Sequence, residues 1–125
     1  MGQGFLTGKI TRSMRFDDPS DLRRDFPRFT PDAMEANFKL VDFLNDLARR
    51  KSSTPAAIAL AWLLSRKPWI VPIPGGTQMD HLDDNLPAAD LKLSLADIAE
   101  IDAAFAAADI KGAPLSPALD AAIDR

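Results

Sequence analysis

The sequence contains no cysteine, no tyrosine and a single histidine, His81. Without cysteine there can be no disulfide, no thiolate metal site and no cysteine nucleophile. Without tyrosine no phenol can serve as a general acid. A Ser-His-Asp site would have to use His81, which stands in an acidic stretch with no nucleophile elbow. Long apolar runs are missing too. None approaches the roughly 20 residues of a membrane span, so no membrane partner is expected. Positive charge is in deficit, with 15 Lys and Arg against 18 Asp and Glu and a formal net charge of −3, which argues against nucleic acid. The start does not read as a signal peptide, because Lys9 and Arg12 follow the short apolar piece instead of preceding it. Met1-Gly2 opens like a myristoylation signal, but Leu6 stands where that signal wants Ser or Thr. A cytoplasmic protein is the resulting expectation.

What is present suits one domain with a core, over residues 1–125. Hydrophobic residues make up 46% and charged residues 26%, the proportions of an ordinary globular chain. The chain is organised around residues 69–85, WIVPIPGGTQMDHLDDN. An apolar run from Trp69 to Ile73 meets the pair Gly75-Gly76. A helix-start signal follows, with Thr77 as N-cap and Asp80 three residues on. Strand, glycine turn and helix start form a recurrent anion-holding arrangement, since the first helical turn leaves N–H groups unpaired. The same pattern also serves merely to connect elements. Continuous apolarity indicates a strand buried on both faces, although Pro72 and Pro74 would each remove a ladder donor.

The remaining segments read more simply. Residues 1–10 are punctuated by Gly2, Gly4 and Gly8, and Phe5-Leu6-Thr7 could end a strand or belong to a flexible terminus. Residues 11–29 hold Pro19, Pro27 and five arginines among aspartates, and read as a long loop with a short helical turn over 19–24. Those arginines read as solvated ion pairs more readily than as ligands. Thr30 followed by Pro31, and Thr54 followed by Pro55, are two helix starts. The first helix runs to Lys51 with Met34, Phe38, Val41, Leu44 and Leu47 on one face. The second runs to Arg66 and is apolar nearly all round, which predicts burial between layers. A short helix over 77–86 should turn Met79, Leu82 and Leu86 inward. Ser94 and Asp97 announce a capping box before a stripe of Ile98, Ile101 and Phe105. Residues 106–125 read as a mobile or loosely docked tail.

The stretches GFLTGKI, RFTPDAMEANFKLVDFLNDLARRK and TPAAIALAWLLSRKPWIVPIPGGTQMDHLDDN together resemble the C-terminal part of an aldo-keto reductase, from Gly4 to about Phe105. The resemblance implies an α/β protein of the TIM (β/α)8 barrel type. It places here only the last two βα units with the C-terminal helix and tail, a partial barrel: a helix-rich fragment with one or two short strands. A complete barrel needs about 250 residues. The family reduces carbonyl compounds to alcohols with NAD(P)H, so the implied cofactor is NADP or NAD. Gly2, Gly4, Phe5 and Leu6 match the loop that lies over the cofactor. Ile73 matches the last strand. Gly75, Gly76 and Thr77 match the turn that approaches the adenosine phosphate. Gln78 and His81 stand where the family often has cations for the 2′-phosphate of NADP, and Asp84 and Asn85 where it has Glu-Asn near the adenine.

Between Thr77 and Asp90 there is no Lys or Arg, so a dianionic 2′-phosphate would find little to pair with there. The resemblance therefore implies weakened selectivity for NADP. The family's Asp, Tyr, Lys and His come from earlier strands, and none matches a position here. Three functional expectations follow: a truncated reductase, inactive alone; a non-catalytic protein that pairs its strands with a second chain to complete the sheet; or a plain nucleotide-binding module.

Overall fold

A computed structural model describes residues 1–123. Among the described residues five α-helices carry the fold: α1 Pro31–Arg50, α2 Pro55–Arg66, α3 Met79–Asn85, α4 Leu95–Ala107 and α5 Pro117–Ala121. Short 3-10 turns lie at Phe5–Thr7, Leu22–Asp25, Pro27–Phe29 and Leu86–Ala89. The starts of the three longest helices are set by local chemistry. Thr30 and Thr54 each accept a hydrogen bond from the backbone N–H three residues on, and a proline follows at the first helical position. At Ser94 both halves of the capping box form: Ser94 Oγ accepts from Asp97 N at 3.1 Å, and Asp97 Oδ2 accepts from Ser94 N at 2.7 Å.

The core is a three-helix contact. Leu44 and Leu47 of α1 meet Ile58 of α2 and Ile101 of α4, all at 1% exposure or less. Burying such side chains contributes roughly 1.5–3 kcal/mol each. Polar contacts fix the register at the rim. Trp62 stacks on Phe105 with ring centroids 5.3 Å apart and donates its indole N–H to Asp102 at 2.9 Å. Arg66 pairs with the same carboxylate at 2.8 Å. Lys51, just past the end of α1, reaches Asp97 at 2.5 Å and holds its carboxyl at about 2, below the usual value. A second cluster joins the N-terminal segment to α1: Phe5, Phe29 and Phe38 are buried, and Phe16 packs edge-on against Phe29 at 5.0 Å.

The segment after α4 is tied down at three points. Asn37 exchanges two hydrogen bonds with the backbone of Lys111, at 2.9 and 2.8 Å. Gly112, at φ +80°, lies so close to the backbone of Arg28 that a Cβ there would sit 2.4 Å from Arg28 Cα. Gln3 Nε2 donates to Pro114 O at 3.0 Å.

Several sequence expectations are corrected. Among the described residues none is in a β-strand. Phe5-Leu6-Thr7 is a 3-10 turn capped by Gly4, whose carbonyl accepts from Thr7 N at 3.2 Å. The run from Trp69 to Ile73 is not a strand: Trp69 lies in a turn where Ile70 N donates to Lys67 O at 3.1 Å, and the run is largely exposed instead of buried, with Val71 79% and Ile73 93% accessible. A strand is defined by its neighbour, and this run has none to bond. The pattern of Ile70 and Val71 between prolines supplies apolarity but few ladder donors. The inward placement of Met79, Leu82 and Leu86 fails for the same reason, since all three are exposed. The second half of α2 is likewise not covered on both sides, and Leu64 is open.

Candidate functional site

The expected site residues fall into three places. Gly4, from the N-terminal segment, and Ile73, Gly75, His81, Asp84 and Asn85, from the central stretch, line one cleft of about 510 Å³. That volume lies within the ~300–1,000 Å³ usual for small-molecule sites. Gly76, Thr77 and Gln78 instead border a neighbouring apolar groove of about 630 Å³, with Leu64, Val71 and Leu82. Asn85 borders both hollows. Gly2, Phe5 and Leu6 turn away from the cleft. Phe5 is a core side chain, and Gly2 and Leu6 border a smaller cavity on the far side of the turn.

The backbone explains how the cleft is formed. Gly4 sits at φ +92°, a left-handed conformation that suits glycine, and so starts the 3-10 turn that shapes one wall. Opposite it, nothing lies within 4 Å of the place a Gly75 side chain would occupy. The helix that follows starts later than its sequence suggests. Gln78, not Thr77, occupies the N-cap, and it makes no side-chain capping bond. Thr54 Oγ1, at the start of α2, donates to Asp84 O at 3.2 Å and so anchors the end of α3.

Two cations that sequence reasoning left out complete the cleft: Lys9 and Arg23. Lys9 Nζ pairs with Asp84 Oδ2 at 2.7 Å and links the N-terminal segment to α3. Arg23 makes a forked contact with Asp21, with Nη2 to Oδ2 at 2.6 Å and Nε to Oδ1 at 2.9 Å. That hydrogen bonding lowers the Asp21 carboxyl and raises the Arg23 guanidinium from their ordinary values. Arg23 also lies 4.6 Å over the ring of Phe16. Lys9 had a signal, since it directly follows the Gly4–Gly8 turn. Arg23 had none, because its place depends on how the 11–29 segment folds back.

One atom in the cleft stands out chemically. Asn85 Oδ1 is shut off from solvent and has no hydrogen-bond partner. A buried carbonyl oxygen in that condition is an acceptor with its donor missing. The cleft thus brings together two ion-paired cations and the apolar side chains of Ile10 and Ile73, with Asn85 on its border.

Residues 1–106 match the model of the Aldo/keto reductase family. The chain belongs to the aldo/keto reductase family. It is 36% identical over 117 residues to Aldo-keto reductase yakc [NADP(+)] of Schizosaccharomyces pombe, covering 94% of this chain and 34% of that protein. It is 35% identical over 121 residues to Probable aldo-keto reductase 1 of Glycine max, covering 96% and 34%. To Aldo-keto reductase str7 of Strobilurus tenacellus it is 32% identical over 101 residues, covering 81% and 30%. The chain therefore spans about a third of the length of these reductases. The aldo/keto reductase fold is a TIM barrel. The helices and linking segments described here, without strands, are consistent with a part of one.

Proposed function

We propose that this aldo/keto reductase chain holds the adenosine end of a nicotinamide cofactor for an NAD(P)H-dependent carbonyl reductase. The observation that supports the reading is the unpartnered amide oxygen of Asn85, a residue that borders the cleft lined by Gly4 and Ile73–Gly75. The exocyclic amine of adenine is a donor of the kind that acceptor lacks. The residues present therefore fit the group. When bound, the cofactor supplies the hydride. The chain's own residues do the positioning: Asn85 orients the base, Ile10 and Ile73 exclude water from its faces, and Lys9 and Arg23 bring positive charge to the phosphates.

The same cations bear on selectivity. No Lys or Arg lies on α3, and the two in the cleft are already matched to Asp84 and Asp21. An extra 2′-phosphate must compete with those carboxylates, so NAD is tolerated and the preference for NADP is weak. The chain has no tyrosine, the residue that gives the carbonyl oxygen its proton in the family, so the chain alone does not catalyse reduction.

Fluorescence titration of the purified chain with NADH and NADPH tests both points. Dissociation constants within about tenfold of each other are expected, and Asn85→Ala should weaken both by up to about tenfold, the worth of one hydrogen bond. A much stronger preference for NADPH contradicts the selectivity reading, and unchanged binding in Asn85→Ala contradicts the site. Carbonyl-dependent oxidation of either cofactor above a buffer blank would contradict inactivity.

A second reading has its own observation. Trp69, Val71, Ile73, Met79, Leu82 and Leu86 are six large apolar side chains left exposed within residues 69–86. Large exposed apolar surfaces mark interfaces. On this reading the chain pairs residues 69–74 with strands from further polypeptide. A single monodisperse oligomer by light scattering supports the pairing, and a monomer at all concentrations opposes it.

A further inference from the structure

We propose that Arg28 heads a second ligand site, one for a small carboxylate with an apolar body. Arg28 borders a cavity that shares no lining residue with the cofactor cleft. Among the described residues the other arginines are all engaged. Arg12, Arg23, Arg24, Arg49, Arg50 and Arg66 pair with carboxylates, and Arg15 donates to backbone carbonyls. Among the described residues Arg28 is the one arginine with neither a hydrogen bond nor an ion pair, and its Nε is shut off from solvent. A buried donor without an acceptor calls for an explanation.

The surroundings of Arg28 say what could supply that acceptor. It borders a cavity of about 240 Å³ whose walls include Phe5, Leu6, Leu40, Phe105 and Ile110. Asn37 also borders the cavity, but its amide is saturated in both directions by the backbone of Lys111. The nearest carboxylate in sequence to the rim, Asp109, is held by Lys111 Nζ at 2.5 Å. One guanidinium in an otherwise apolar hollow selects for charge at one end of a ligand and carbon at the other. A planar guanidinium matches a carboxylate through paired N–H donors. An apolar cavity of ~150 Å³ already takes benzene, so a benzoate-sized body has room. A bare phosphate or sulfate would leave most of its oxygens against carbon, which the walls disfavour.

The backbone beneath the site is closely packed. Gly112 sits directly on the backbone of Arg28, where any Cβ would collide. The neighbouring Phe29 is buried in the aromatic cluster.

The test is a titration of the 125-residue chain with sodium benzoate, followed by amide chemical shifts, with benzyl alcohol as the neutral counterpart. Saturable shifts at Arg28, Asn37 and Phe105 are expected, with benzyl alcohol binding at least tenfold more weakly. Arg28→Gln should weaken benzoate at least tenfold. Ile110→Trp, a change at the half-exposed rim, should obstruct the cavity while leaving Arg28 untouched, so the two variants do not share a folding risk. Absence of saturation, equal binding of benzyl alcohol, unchanged affinity in both variants, or shifts centred on Lys9 and Asn85 would each overturn the proposal.

Discussion

Ile58 and Leu64 stand on the same helix and live in different surroundings. Ile58 is sealed between α1 and α4 at 0% exposure, whereas Leu64 is 40% exposed. The contrast continues outward from each. On one side lie Leu44, Leu47 and Ile101, closed over by the Trp62–Phe105 stack and the Lys51–Asp97 pair. On the other lie Val71, Ile73, Met79, Leu82 and Leu86, all open. Both regions carry large apolar side chains. What separates them is whether the chain itself supplies an opposing surface. Apolarity states a demand for burial, and only tertiary partners meet it.

The largest expected effect follows directly. Leu47→Ala opens a cavity in the closed half and should cost about 3–4 kcal/mol, read from the urea unfolding midpoint. Leu82→Ala, on the open half, should fall within about 0.5 kcal/mol of the parent chain. Equal losses would erase the distinction between the two regions.

Next in size is the rim of the closed half. Asp97→Asn removes the Lys51 partner and weakens the capping box, at a cost on the order of 1–2 kcal/mol at neutral pH. The pH dependence has a definite sign. The Asp97 carboxyl sits at about 2 in the folded chain, below its ordinary value of 3.8. Its stabilisation is therefore fully present above about pH 4 and is lost as the pH falls toward 2. In Asp97→Asn that part of the acid limb should disappear. An unaltered acid limb would show that the Lys51 contact does not matter to folding.

The smallest expected change in stability is on the open side. Val71→Lys with Ile73→Lys should leave the unfolding midpoint unchanged within about 0.5 kcal/mol. The same pair should reduce binding of an apolar dye and any self-association seen by light scattering. A clear loss of stability would mean that this run is packed in solution.

How much could be read from the sequence divides along the same line. The starts of α1, α2 and α4 were legible because Thr30, Thr54 and Ser94 act on backbone groups three residues away. The faces of α1 were legible because helical spacing places Phe38, Val41 and Leu47 together. The run from Trp69 to Ile73 misled, because a strand depends on a neighbour that local sequence does not specify. In the cleft, the glycine turn and Asn85 were visible as a pattern. Lys9, directly after the Gly4–Gly8 turn, was passed over, and Arg23 was not assigned there because its arrival depends on how residues 11–29 return across the N-terminal turn. The Thr77 cap was misplaced by one residue, and nothing in the structure explains why Gln78 takes that position without a capping bond.

The most direct test of the account is amide hydrogen exchange of the chain with and without saturating NADH. Protection in α1, the first half of α2 and α4 is expected in both conditions. Residues 69–78 should exchange rapidly in the free chain, and residues 4–10 and 73–85 should gain protection with the dinucleotide. Strong protection of residues 69–74 in the free chain, or no change near Asn85 on adding NADH, would contradict it.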